Sequence, residues 1–419
     1  MQRFTLFAFI AALLFLQINL KAEFIVNDLS DLPDEDLTDG IYTPQTLRSA
    51  IQNANHEGVP AVIIIVPDRS TIRINSDLPV INVPINFEGK GLILEPASGS
   101  IAKFGLWITS NYSVVRNVLI QWFTSTGLVW QGSDGLIEMT TCRYNGVNLN
   151  MNHAHRNTIG GQLQGYFSNY FYGATGSTSG QGISLVGTWA DSVDGGNNDN
   201  IIQYCAIGID ENGVAKPNKY GINISMSKRN IIKHNVISGN DGGGINIDGT
   251  YPGTDGLGNF VWLGSQLNTV IKNNSIGTSN IGSEAIPNID AGIRISGSIG
   301  DSIVNNVISG NSGTGIYVAS ALSKKIIIEN NRVGTDRSTK NPVPNSSGIR
   351  LNGSEHIVRN NVVSGNKNVG ISVSSPYSII EFNIVGLDSG QKIAVPNGTG
   401  ISVSGTDILI GDTLPQGFP

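Results

Sequence analysis

Two cysteines, Cys142 and Cys205, are all that 419 residues contain, and they fall at different offsets within the repeats described below. No disulfide framework is built from such a pair, which reads as two buried thiols. Charge is scarce too: charged residues make up 14% of the chain, against an ordinary share near 25%. Low charge with abundant β-branched residues excludes disorder. The net charge is −6 with no basic cluster, which excludes nucleic acid and an anionic lipid surface as partners. Five histidines and two cysteines without ligand spacing predict no metal site, and no cofactor is expected. Calcium would need a carboxylate cluster that the sequence does not offer. Beyond residue 22 no apolar run approaches the ~20 residues of a membrane span. One segment apart, no window carries the apolar stripe of a helix.

What is abundant is one phrase, Gly-Ile-x-(Ile/Leu/Val). It stands at Gly221, Gly244, Gly292, Gly315, Gly348, Gly370 and Gly400, at spacings of 23, 48, 23, 33, 22 and 30 residues. Gly-led relatives precede it at Gly105, Gly127, Gly146 and Gly182, making eleven rungs. A second phrase, Asn-Val-(Ile/Val)-Ser-Gly-Asn, starts at Asn235, Asn306 and Asn361. A third, Ile276-Gly-Thr, Val333-Gly-Thr-Asp and Val385-Gly-Leu-Asp, leads each time to a Pro-Asn pair and the next Gly-Ile. Self-similarity at this period marks a solenoid. The apolar positions alternate and are β-branched, so each phrase is a short strand with one face buried. Three short strands per turn of about 22 residues predict an all-β, right-handed parallel β-helix whose coils stack at about 4.8 Å. The repeated Asn residues predict stacked amide ladders, and Asp210, Asp336 and Asp388 predict turns.

Residues 1–22 carry Arg3, an apolar run from Phe4 to Leu16 and Ala22 at the end. This is the pattern of a secretory signal cleaved near Ala22, predicting a secreted or cell-surface protein. Cleavage removes two basic residues and no acid, leaving a net charge of about −8. Residues 23–58 form an N-terminal unit: a strand at Phe24-Ile-Val, an acidic linker, and a helix. Thr43 is the expected N-cap with Pro44 first inside, Leu47, Ala50, Ile51 and Ala54 forming the apolar stripe and Gly58 the stop. Such a helix closes the open end of a solenoid. Residues 59–419 then read as one β-helix domain.

Thr46-Leu-Arg-Ser-Ala-Ile-Gln-Asn-Ala-Asn55, after an acidic linker, resembles the N-terminal "CSLREA" element of bacterial secreted β-helix repeat proteins. The Ile-Gly-Thr-Asp and Asn-x-Ile-Ser-Gly-Asn phrases resemble the body of that family. Gln45 stands where the family has Cys, and Ser49 where it has Glu. The resemblance implies the pectin-lyase-like superfold, which houses polysaccharide lyases, hydrolases, epimerases, adhesins and inactive passengers. Fold alone therefore leaves function open.

Two insertions break the rhythm. Residues 160–180 carry Tyr166, Phe167, Tyr170, Phe171 and Tyr172 just ahead of a Gly-Ile strand; residues 249–264 carry Tyr251, Phe260 and Trp262 just after one. They are expected to wall the two sides of one sheet, with Tyr170, Tyr172, Tyr251 and Trp262 stacking on sugar rings, or else to pack on each other. The floor is the outward x residue: Trp107, Val129, Asn148, Ser184, Asn223, Asn246, Arg294, Tyr317, Arg350, Ser372 and Ser402. The next outward position includes Asn150, Ser225, Asp248, Ser296 and Asn352, and Asp290 precedes Arg294 in the loop. Asn223, Asn246, Asp290, Tyr317 and Asn352 are the expected substrate-binding residues. Arg294, Arg350 and Asp248 are the expected catalytic set if there is chemistry, most plausibly β-elimination on a uronate-containing glycan. Adjacent Asp pairs with Gly-His-Gly, the polygalacturonase pattern, are absent.

Three functions fit these residues: a carbohydrate-binding solenoid facing a polysaccharide or cell-surface glycan, a polysaccharide lyase, and a structural or adhesive spacer. Ile408-Leu-Ile-Gly-Asp-Thr-Leu-Pro-Gln-Gly-Phe-Pro419 starts like the intervals that lead into a further rung. That predicts a longer reading frame, or end-to-end association through an uncapped last coil.

Overall fold

The computed structural model describes residues 22–161, 167–176, 180–187, 196–254 and 256–411. The apolar leader, apart from Ala22, lies outside them. Each coil holds short parallel strands separated by tight bends. The coil entered at Tyr220 has Tyr220–Ser225, Ile231–Lys233 and Val236–Ile237; the next has Ile245–Asp248, Val270–Lys272 and Ser275–Ile276. Each strand pairs with its equivalent one coil on, so Ile222, Ile245, Ile293, Ile316, Ile349, Ile371 and Ile401 form one register line. The result is three ribbons along a right-handed parallel β-helix. The Gly-Ile ribbon is an 11-stranded sheet, matching the eleven Gly-led rungs. The other two, a middle ribbon through Ile231–Lys233 and a short ribbon through Val236–Ile237, merge into one 24-stranded sheet. They merge because Ile85–Pro96 and Val114–Gln121 run through both.

The phrases now have physical reasons. Ile245, Ile247, Ile293, Ile295, Ile316 and Val318 are all fully buried in the lumen. The glycine ahead of them is required by space: a Cβ on Gly221 would lie 2.5 Å from the Gly244 carbonyl, 2.9 Å from Ile237 and 3.0 Å from the Asn240 amide. In the second phrase, Asn235 accepts the N–H of Cys205 at 2.9 Å and donates to the Asn274 side chain at 3.0 Å. Ser238 pins the following coil by donating to the Thr278 carbonyl and accepting the Gly277 N–H. Gly239 takes φ +74°, and Asn240 passes its amide to Asn288 at 2.8 Å. Two amide ladders result, Asn235–Asn274–Asn306–Asn331–Asn361–Asn383 and Asn218–Asn240–Asn288–Asn311–Asn345–Asn366–Asn397. They satisfy bend backbone that would otherwise be buried unpaired. The bend between middle and short ribbons is one left-handed residue, with His234, Asn273, Asn305, Asn330 and Asn360 at φ 56° to 58°.

The rung at Gly146 departs from the expected alignment by two residues. Leu149 pairs with Leu128 and with Ile183, so Asn148 stands where other coils have the glycine. It is fully buried and donates to the Asn218 side chain at 3.1 Å, extending the ladder. Asn150, opposite Val129 and Ser184, is the outward residue there. The sequence pattern fails here because a ladder amide replaces glycine.

Strand Ala22–Val26 begins the middle ribbon, paired to Ala61–Ile65. The helix Leu47–Glu57 covers the end with Leu47, Ala50, Ile51 and Ala54. Its N-cap is Thr46, not Thr43: the Thr46 hydroxyl accepts the Ser49 N–H at 3.1 Å, and Ser49 accepts the Thr46 N–H at 3.2 Å. Ser49 thus closes the capping box that its Glu counterpart would close, while Thr43-Pro44 lies before the helix. Arg48 pairs with Asp31 at 2.9 Å, both nearly buried, and donates to the carbonyls of Ser76 and Asp77. At the other end, Ile401, Val403, Leu409 and Ile410 are 38–46% exposed, whereas Ile371, Val373 and Ile380 one coil earlier are buried. Among the described residues no helix is long and apolar enough to cross a membrane.

Candidate functional site

The Gly-Ile ribbon turns its x residues outward in one line, one per coil. Asn223 lies opposite Asn246, Asn246 opposite Arg294, Arg294 opposite Tyr317, and Tyr317 opposite Arg350. Side chains follow that register. Asn246 Nδ2 donates to Asn223 Oδ1 at 2.8 Å. The guanidinium carbons of Arg294 and Arg350 each lie 5.2 Å from the centre of the Tyr317 ring. Tyr317 thus carries a cation on either side, and the ring holds both in place. Neither arginine enters an ion pair between described residues.

The second outward row is Ser225, Asp248 and Ser296, paired in register. Asp248 Oδ1 accepts the backbone N–H of Thr250 at 2.9 Å and its hydroxyl at 2.6 Å. It therefore fixes the turn into the 249–264 segment. Asn352 is tied by its amide to the Ala319 carbonyl and by its oxygen to Ser374. Asp290 is exposed, two residues ahead of Gly292.

The downstream flank carries an antiparallel hairpin, Thr250–Thr254 against Phe260–Gln266. Trp262 is 56% exposed and meets Phe260 edge-on at 5.6 Å, with Tyr251 half-buried. The upstream segment departs from expectation. Asn169–Tyr172 is a strand of the short ribbon, paired to Thr141–Arg143 and Cys205–Ile207. Tyr172 is buried and bonded to Arg143 and Glu211, so it is withdrawn from any ligand. Tyr170 packs with Phe167 over Ala206, Ile209 and Val236. These rings form a small outer core, because a coil needs apolar cover wherever its strand turns aromatic residues outward. Tyr166 lies outside the described residues.

The upstream flank instead bears hairpins the sequence reading took for simple turns. Closing bridges Thr278–Ala285, Thr335–Pro342 and Leu387–Ala394 place one in every second coil. Arg337 ties the first two together through Ser275 and Asn280, and Thr339 meets Ser389 across the next gap. The signal was present as a surplus of residues at constant offset: Gly277, Gly334 and Gly386 precede the next Gly-Ile by 15, 14 and 14 residues, where Ser238, Ser309 and Ser364 precede it by 6. Within them Asp388 accepts the N–H groups of Ile393 and Lys392. These bonds, that of Ile393 foremost, hold its carboxyl below the usual range.

The arrangement is a polar floor with two guanidiniums and two amides in a line, bounded by hairpins on both flanks. It can bind carboxylates through arginine and hydroxyls through amide, and stack a sugar face on an exposed ring. Among the described residues no three His, Cys, Asp or Glu side chains are grouped to hold a metal ion.

A family model described as a right handed beta helix region matches residues 254–385. Among solved structures, the Dettilon tailspike protein (gp208) is similar at 16% identity and a TM-score of 0.56, over 91% of this chain and 68% of its own. The periplasmic alginate epimerase AlgG shares 12% identity over 87% of this chain and 81% of its own, with a TM-score of 0.48. Pectate lyase Pel9A shares 13% over 84% and 80%, at 0.46. No curated protein matches the chain. Likeness at such identities is one of fold, and here it rests on the tailspike.

Proposed function

We propose that this protein binds an extended polysaccharide along the outer face of its Gly-Ile ribbon, and that the glycan carries acidic sugars. The observation that carries this is Tyr317 between Arg294 and Arg350. An arginine pair without carboxylate partners among the described residues of an acidic protein is matched to an external anion. The two lie two coils apart, about 10 Å at the spacing of a sheet, which suits acidic groups recurring along one chain. Binding is favoured over chemistry because the carboxylate expected to act, Asp248, is engaged by Thr250. A panel of polyuronates and neutral glycans tests the reading. Retention of acidic polymers without unsaturated product is expected; unsaturated ends that vanish in Arg294→Ala would make the protein a lyase.

Export belongs to the same proposal. N-terminal sequencing of the protein from culture medium should begin near Ala22. Association through the exposed side chains of Ile401, Val403, Leu409 and Ile410 predicts a mass that rises with concentration in light scattering; a constant monomer mass removes it.

A further inference from the structure

We propose a second carbohydrate subsite, built on Trp122 and Tyr144 at the N-terminal end of the same ribbon. It rests on the reading that the Gly-Ile ribbon binds a glycan. At the corner where a coil leaves the short ribbon, the position in register with Trp122 and Tyr144 is a left-handed glycine in four later coils: Gly173, Gly239, Gly310 and Gly365 have φ from +69° to +75°. The two earlier coils put aromatic residues there, Trp122 at φ 65° and Tyr144 at φ 55°. A bulky residue in that region is strained. Trp122 remains 52% exposed there. What sets Trp122 apart is its place, an indole half open to solvent at the corner that leads into the Gly-Ile ribbon.

The turn is held rigidly from both sides. Ser125 and Thr126 donate their N–H groups to the Lys103 carbonyl, joining it to the coil of Phe104 and Trp107, whose rings lie 5.2 Å apart. Trp107 heads the outward x line and donates Nε1–H to Gln131 at 3.0 Å. Beneath the rings runs a side-chain relay. Arg73 pairs with Glu95 at 2.9 Å, Gln121 donates to Glu95 at 2.7 Å, and Arg143 donates to Gln121 at 2.8 Å and to the Tyr172 hydroxyl at 3.0 Å. Tyr172 in turn donates to Glu211. Gln121 and Arg143 immediately precede Trp122 and Tyr144, so the relay fixes the backbone that aims both rings. The Arg143 guanidinium also lies 5.8 Å from the Tyr144 ring.

Flat ring faces beside fixed planar donors suit a pyranose, whose C–H face stacks while its hydroxyls bond. Single-stranded nucleic acid stacks on rings as well, but needs a basic track, and this chain is acidic without one. From Trp107 the x line passes Val129, Asn150, Ser184, Asn223 and Asn246 to Arg294, six coil steps or about 30 Å. A long chain reaches both ends of this line and a short one does not.

The test is titration calorimetry of an acidic oligosaccharide series, short to long, on wild type, Trp122→Ala and Trp122→Phe, with melting temperatures measured in parallel. The expected result is roughly tenfold weaker binding of long chains by Trp122→Ala. Short chains should bind unchanged, and Trp122→Phe should restore part of the loss. Equal affinities for wild type and Trp122→Ala at every length would overturn the subsite and leave the ribbon reading intact. Equal loss at every length would overturn it as well, making Trp122 part of the arginine site. Binding by no variant at any length would overturn both readings together.

Discussion

Asp301 accepts the backbone N–H of Thr269 through Oδ1 at 2.8 Å, while its Oδ2 has no hydrogen-bond partner among the described residues and the residue is fully buried. It stands in the column of Asn157, Asn200 and Asn230, which precedes each strand of the middle ribbon. There each amide nitrogen donates to a carbonyl of the previous coil, Asn230 to Asn197 and Asn200 to Ala154. Aspartate can copy that only as the neutral acid, and burial pushes its carboxyl up to about 7.

Because the folded value lies above the ordinary 3.8, the fold binds this proton more tightly than the unfolded chain does. Stability from this group is therefore full below about pH 4 and falls as pH rises to about 7. Asp301→Asn restores the missing donor. It should raise stability at pH 8 by a few kcal/mol and change it little at pH 4. Urea unfolding at both pH values checks this, and an Asp301→Asn protein no more stable at pH 8 would refute the protonated-ladder account.

Two coils later His356 holds the equivalent place. Its Nδ1 accepts the Ile326 N–H at 3.1 Å and its Nε2 faces the Asn352 carbonyl at 2.9 Å. Only the neutral ring satisfies both, and burial lowers its pKa below 6.5. The stability it contributes is present above pH 6.5 and lost on acidification through the lower folded value. Hydrogen exchange at pH 5 should show faster opening of residues 323–380 than at pH 7, and His356→Gln should reduce that contrast.

Much of the fold was legible because each residue of a phrase serves one purpose in every coil. The repeat of Gly-Ile told where a strand begins, since the space beside Ile237 and Asn240 admits no Cβ at Gly221. Legibility failed where a different residue met the same need. Asn148 serves as a ladder amide at a glycine position, which slipped the outward line by two. Within the site, the register placed Asn246, Arg294, Tyr317 and Arg350 correctly because outward direction follows from the strand period. Tyr172 was misread as a wall because aromatic content alone does not say which way a ring faces. Trp122 escaped notice because its meaning lies in a comparison with the glycines of later corners.

The glycine argument has its own test. A Cβ at Gly244 would lie 2.6 Å from the Gly292 carbonyl and 2.9 Å from the Asn288 amide, whereas nothing lies within 4 Å of one at Gly256. Gly244→Ala should cost about 2 kcal/mol or more through forced backbone shifts. Gly256→Ala should stay within about 0.5 kcal/mol. Equal melting temperatures for the two variants would show that the ladder coils yield more readily than their packing implies.

The central claim is that Arg294 and Arg350, held by Tyr317, grip an acidic glycan. Its most direct measurement is calorimetric titration of a short acidic oligosaccharide into wild type and into the double variant Arg294→Ala, Arg350→Ala, at low and high salt. The account predicts binding by wild type that weakens with salt. It also predicts loss of that binding in the double variant, with a melting temperature unchanged within the small effect expected of surface residues. Binding of equal strength in both proteins would contradict it.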